Sequence, residues 1–255
     1  MSIPFIPYFR HFTPVVVVLI RFVEFNVYSK IIYEDINMID GIKAIIFDLD
    51  GTLINSMSTW EKINLDLIND NKLNNYNVIR NYIDGKTLYE IAEYFINNYQ
   101  INKSIDEVID YYTHKIKCEC KNNNLLRPGV VELLNSLHGK CYIALATSNS
   151  REIAKIILTE YNINNYFDCI KSLDDIKKSK PDPEIYLQVA KSLNISTKEC
   201  VVVEDSKNGV KAALEAGMNV CVVNFDKNIV YDKLFSNNVF FISDFLELSM
   251  LLNIN

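Results

Sequence analysis

From Gly41 onward the chain alternates short, continuous apolar runs with stretches in which apolar residues recur every three or four positions. The first pattern suits strands buried on both faces and the second suits amphipathic helices, so together they predict an α/β fold with a parallel sheet. The expected strands are four runs, 44–47, 142–146, 201–203 and 220–223, apolar at consecutive positions and rich in β-branched residues. Between them, Ile153, Ile156, Ile157 and Tyr161 share one helical face, and so do Tyr186, Val189, Ala190 and Leu193. Asp182 is placed to cap the second of these helices, and Pro183 suits its first position. A further helix over 207–216 stops at Gly217, a natural left-handed terminator.

Residues 57–126 break this rhythm, because helical patterns follow one another there with no good strand between them. Helices are expected over 59–69, 88–98 and 105–120, and Arg127-Pro128-Gly129 turns the chain back to the alternating pattern. The organisation expected is therefore an α/β core from 38–56 and 127–255 with an all-helical insertion at 57–126. Residues 1–37 read as an extension of uncertain status, with Met38 directly ahead of the first strand as the expected start of the compact domain. The apolar run at 15–20 is far shorter than the roughly 20 residues of a spanning helix, and no small-residue cleavage pattern follows it. Stable membrane insertion is not expected.

Composition narrows the function. With 255 residues, 49% of them apolar, the chain can bury one large core. A net charge of −6 leaves no lysine and arginine excess to replace counterions on a nucleic acid backbone, so a nucleic acid partner is not expected. The six cysteines are scattered without zinc-type spacing and read as reduced thiols of a cytoplasmic protein. His11, His114 and His138 form no recognisable ligand arrangement. A monomer or weak homodimer is expected.

Candidate chemistry gathers at strand ends. The first strand runs into Asp48 and Asp50, the second into Thr147 and Ser148, and the third into Glu204 and Asp205. In an open parallel sheet the carboxyl ends of the strands lie along one edge, and ligands bind there, so these distant segments are expected to meet. Carboxylates at close range raise one another's pKa unless a cation compensates, and magnesium, which favours a few oxygen ligands, suits Asp48, Asp205 and Glu204. Asp48 is placed to attack phosphorus as a carboxylate nucleophile, and Asp50 to handle the proton. Gly51 permits the sharp turn that follows. Thr147 and the amides after it can bind phosphate oxygens, and Lys180, held extended by Pro181, supplies positive charge.

Asp48-Leu49-Asp50-Gly51-Thr52, Thr147, Lys180-Pro181-Asp182-Pro183 and Glu204-Asp205 resemble the four ordered motifs of the haloacid dehalogenase-like superfamily. The resemblance covers about 42–223 and implies a Rossmann-like core whose helical insertion is a cap that closes over small substrates. It further implies Asp48 as nucleophile, Asp50 as acid and base, Thr147 and Lys180 as phosphate partners, and Mg²⁺ held by Asp48, the Asp50 carbonyl and Asp205, with Glu204 as a further ligand. Ser148, Asn149 and Lys86 are additional candidates for substrate contact. The helical cap is similar to that of the group with β-phosphoglucomutase and phosphoglycolate phosphatase.

Two departures bear on activity. Asn55 stands where many relatives carry a second aspartate, and Trp60 stands where the mutases carry a cap histidine. Nor does 85–87 offer an obvious equivalent of the mutases' cap arginine. The expected activity is hydrolysis of a small phosphorylated metabolite, with residues 84–88 helping to select it. A phosphosugar mutase is the alternative.

Overall fold

The computed structural model describes residues 41–74, 76–83, 86–223 and 238–252. The extension expected at 1–37, the expected start at Met38, and Asp84 and Gly85 of the expected selectivity segment lie outside them.

Strands β1 (Ala44–Phe47), β2 (Tyr142–Ala146), β3 (Cys169–Lys171), β4 (Cys200–Glu204), β5 (Asn219–Val223) and β6 (Val239–Ile242) form one sheet. All five pairings are parallel, and the order is β3-β2-β1-β4-β5-β6. The chain thus winds outward from β1 to one edge, returns to the far side of β1, and winds to the other. That reversal opens a crevice at the carboxyl end of β1. Because helices cover both faces, β1 is entirely buried, which explains its unbroken apolar sequence.

The insertion between β1 and β2 carries, among its described residues, the helices α1 (Met57–Asp70), α2 (Tyr76–Ile83), α3 (Leu88–Tyr99) and α4 (Ile105–Asn122), with no strand among them. The start of α3 carries a capping box between Thr87 and Glu90, and that of α4 one between Ser104 and Glu107. Val108, Tyr112, Ile116 and Cys120 recur every four residues along the buried face of α4. Tyr112 donates to Asn64 Oδ1 of α1 at 2.7 Å, and Lys115 pairs with Asp66 at 2.7 Å, so two polar links accompany the apolar seam.

Two connections tie this insertion to the sheet, and they run side by side. Asn55 N donates to Leu125 O at 2.8 Å, and Arg127 N to Leu53 O at 3.0 Å, around the antiparallel bridge of Ile54 with Leu126. The Tyr161 hydroxyl donates to Asn123 O and accepts from Leu125 N, pinning the return segment to the core.

The remaining helices are α5 (Val130–Leu137), α6 (Arg151–Glu160), α7 (Glu184–Leu193), α8 (Lys207–Glu215) and α9 (Phe245–Leu251). On one face of the sheet, Ile46, Ala144, Val202 and Val220 pack with Tyr186 and Val189 of α7 and Val210 and Ala213 of α8. Each large side chain buried there contributes roughly 1.5–3 kcal/mol. Helix α7 starts one residue later than its sequence suggests, because Pro183 occupies the cap position; Asp182 still accepts from Glu184 N at 3.0 Å.

Candidate active site

The sheet register assembles the site. Phe47 is level with Leu145 on one side and Val203 on the other, so one step further Asp48 is level with Ala146 and Glu204. The ladder continues into this row, since Asp48 N donates to Val203 O at 3.0 Å. Lys180, in the loop ahead of α7, reaches across the row and touches all three members. Its Nζ donates to Asp48 Oδ1 at 2.6 Å, Ala146 O at 3.0 Å and Glu204 Oε1 at 2.7 Å. Three acceptors match the three protons of an ammonium. The charge also lies 5.2 Å from the centre of the Tyr186 ring, whose hydroxyl donates to Glu204 Oε1 at 3.0 Å.

Glu204 is fully engaged. Its second oxygen accepts from Asp205 N, Ser206 N and the Ser206 hydroxyl, each at 3.0 Å. The carboxylate fits because α8 carries Gly209 against it: a Cβ there would stand 1.7 Å from Glu204 Oε1. Glu204 therefore fixes Lys180, and Lys180 fixes Asp48.

Burial sets the charges. It pushes the Asp48 carboxyl well above its usual range, with Lys180 opposing and the negative charges of Glu204 and Asp205 adding to the push. Burial also disfavours the Lys180 ammonium, but Asp48 and Glu204 outweigh it and hold Lys180 charged far beyond neutral pH. Glu204 is drawn down despite its burial, by the Lys180 charge and the donors around it. Asp205 is raised to about 7 by burial and by the charge of Glu204.

Asp48, Glu204 and Asp205 offer oxygens that lie within 4.8 Å of one another. Of these carboxylates, Asp48 and Glu204 share the Lys180 ammonium, and a hard divalent cation would offset the charge that remains. Gly51, at φ +82°, keeps the turn clear of this cluster, because a Cβ there would fall 1.9 Å from Asp205 Oδ2. The donor set fits such an ion.

Without a bound cation, stability should depend on pH. The folded pKa of Asp205, about 7, lies above its ordinary 3.8, so the folded state holds the proton more tightly. That stabilisation is complete below about pH 4 and is lost as pH rises through about 7. Asp48 shifts the same way and Glu204 the opposite way. Metal-free protein is expected to melt about 5–10 °C lower at pH 8 than at pH 5. A divalent cation should restore most of the difference at pH 8, and Asp205→Asn should flatten the slope in thermal melts.

Asp50 is held separately. Its Oδ1 accepts from the Ser56 hydroxyl and from Trp60 Nε1, the latter at 2.6 Å, and its Oδ2 accepts from Asn149 Nδ2. Burial raises its pKa, and these donors moderate the rise. Thr147 is buried at the end of β2, and its Oγ1 accepts from Asn149 N at 3.1 Å. Ser148, next to it, is exposed. Lys86 makes its contacts within the insertion, pairing with Glu90 at 3.3 Å and lying 5.8 Å from the Tyr82 ring centre. No contact of Lys86 with the carboxylates is found among the described residues.

The sequence profile of the haloacid dehalogenase-like hydrolases matches residues 45–223, from inside β1 to the end of β5. The chain belongs to that family. Among similar proteins, the fructose-1-phosphate phosphatase YqaB of Escherichia coli is 26% identical over 71% of this chain and 96% of its own. A phosphorylated carbohydrates phosphatase of Thermotoga maritima is 45% identical over 36% of this chain and 43% of its own. The crystal structure of CbbY from Rhodobacter sphaeroides in complex with phosphate superposes with a TM-score of 0.68. At 22% identity, covering 81% of this chain and 96% of that one, it shows the shared fold.

In this haloacid dehalogenase-like hydrolase, sequence reasoning missed the contacts by which four side chains organise the site. Ser56 and Trp60 hold Asp50, and Tyr186 and Ser206 hold Glu204. Ser206 had a visible signal, as the capping residue directly after the acidic pair. Tyr186 looked like one more apolar residue of a helix face.

Proposed function

We propose that this hydrolase cleaves small phosphomonoesters, sugar phosphates in the first place, with the Asp48 carboxylate as nucleophile. The observation that carries the reading is the row Ala146–Asp48–Glu204 bridged by Lys180, with Asp50 two residues from the nucleophile. The names of the phosphatases from Escherichia coli and Thermotoga maritima support sugar phosphates as the substrate class.

The steps follow from the side chains. An Asp48 oxygen attacks phosphorus and the bond to the leaving oxygen breaks, while Asp50 gives its proton to that oxygen. Asp50, now ionised, takes a proton from water as the water oxygen attacks the same phosphorus. The bond to Asp48 then breaks, releasing inorganic phosphate and returning both carboxyls to their starting states. Lys180 orients Asp48, and with Thr147, Ser148 and Asn149 forms the phosphate-binding side of the site. Magnesium, held by Asp48, Asp205 and the Asp50 carbonyl with Glu204 beside them, would supply screening between the anionic nucleophile and the anionic phosphate. Helices α1–α4 act as the cap that excludes bulk water. Six free cysteines suit a cytoplasmic location, and among the described residues no helix is long and apolar enough to cross a membrane.

Phosphate release from a panel of hexose, glycolate and nucleoside monophosphates tests the reading. Release from sugar phosphates that requires magnesium is expected. No release from any member, or conversion of a sugar 1-phosphate to the 6-phosphate with no free phosphate, would overturn it.

A further inference from the structure

The Asp50 carboxyl is gripped from two bodies of structure. Asn149, in the loop that follows β2 of the sheet, donates to one oxygen, and Trp60 donates to the other. Trp60 lies in the first turn of α1, where its backbone N donates to Ser56 O at 2.9 Å. Its indole can donate a hydrogen bond and cannot accept one, so the contact requires an acceptor oxygen of Asp50 to face α1. Ser56, at the junction of core and insertion, donates to that same oxygen. Asp48 and Glu204 are tied to Lys180, and among the described residues Asp50 is the acid of the site recorded with a donor from the inserted helices.

We propose that Trp60 is a positioning residue: its indole N–H holds Oδ1 of Asp50, so that proton transfer by Asp50 depends on where helix α1 sits. The inference rests on the phosphatase reading. A carboxyl protonates a leaving oxygen well only when its own oxygen lies on the line between them, and one donor fewer lets the group rotate about its Cβ–Cγ bond. Loss of the N–H should therefore hurt most where the departing oxygen needs a proton. A sugar alkoxide needs it, and a nitrophenolate departs without help.

The chain contains a single tryptophan, so global replacement of tryptophan changes this site alone. Two variants are compared with the wild type: Trp60→Phe, and protein in which tryptophan is replaced by its benzothiophene analogue, where sulfur stands for N–H at nearly the same size. Both are assayed with magnesium on a sugar phosphate accepted by the wild type and on p-nitrophenyl phosphate. For the sugar phosphate kcat/KM is expected to fall about 10- to 100-fold, chiefly through kcat, and for p-nitrophenyl phosphate less than about threefold. The analogue should show the same split even if the phenylalanine variant packs poorly. Equal losses on both substrates, or no loss on either, would overturn the role of Trp60 and leave the phosphatase reading standing. A wild type that turns over neither substrate would overturn that reading and this inference together.

Discussion

Asp48→Asn is expected to lower turnover of every phosphomonoester substrate by about 10⁴-fold or more while leaving the protein as stable as before. Asparagine keeps the shape of aspartate and can still accept a hydrogen bond from Lys180 Nζ, now 2.6 Å from the carboxylate. Its amide oxygen is a poor nucleophile, so no covalent intermediate accumulates. The melting temperature without metal should hold or rise, because the change removes a buried negative charge from beside Glu204 and Asp205. Steady-state kinetics with a parallel thermal melt checks both halves, and a variant retaining a tenth of wild-type activity would exclude Asp48 as the nucleophile.

Lys180→Met should fail in a different manner. It deletes the cation between two buried carboxylates, at 2.6 Å from one and 2.7 Å from the other, with the lysine side chain itself only 5% exposed. Breaking a buried pair from one side costs about 3–5 kcal/mol, which at this chain length is on the order of 10 °C in melting temperature. Activity is expected to disappear with it. The double variant Lys180→Met with Glu204→Gln should recover part of the lost stability and none of the activity, since one uncompensated charge is removed while Asp48 stays unanchored. Recovery of activity would show that Lys180 serves folding alone.

Much of this arrangement could be read from the sequence, for reasons that differ by element. Strands β1, β2, β4 and β5 occupy the middle of the sheet, where the inner positions are buried, so their apolar runs are nearly unbroken. Strand β3 eluded the same reading because it is a three-residue edge strand of half-buried residues ending in Lys171. Helix α2 carries asparagines, an arginine and tyrosines among its apolar residues, and its sequence looks like a connection. The meeting of Asp48, Lys180 and Glu204 was legible because polar groups at the ends of neighbouring parallel strands, or just ahead of a helix, share one edge. Asn149 is expected to face substrate, and the contact its side-chain amide makes with Asp50 was not visible in the sequence. Trp60 was noticed for the histidine it replaces; that it donates to Asp50 depends on the angle of α1 to the sheet, which residue spacing does not encode. The same limit hid the Tyr186 hydroxyl, because periodicity assigns a residue to a face and says nothing of what its far end touches.

Gly209 lies inside α8, where alanine would ordinarily strengthen a helix by about 1 kcal/mol. That improvement is barred here, since even one methyl group would intrude on Glu204 and, through it, tilt Lys180 and Asp48. A stretch of backbone bearing no reactive group is thereby held to a single residue type by chemistry one strand away. Attempts to harden this enzyme against heat by the usual helix repairs would do best to begin elsewhere.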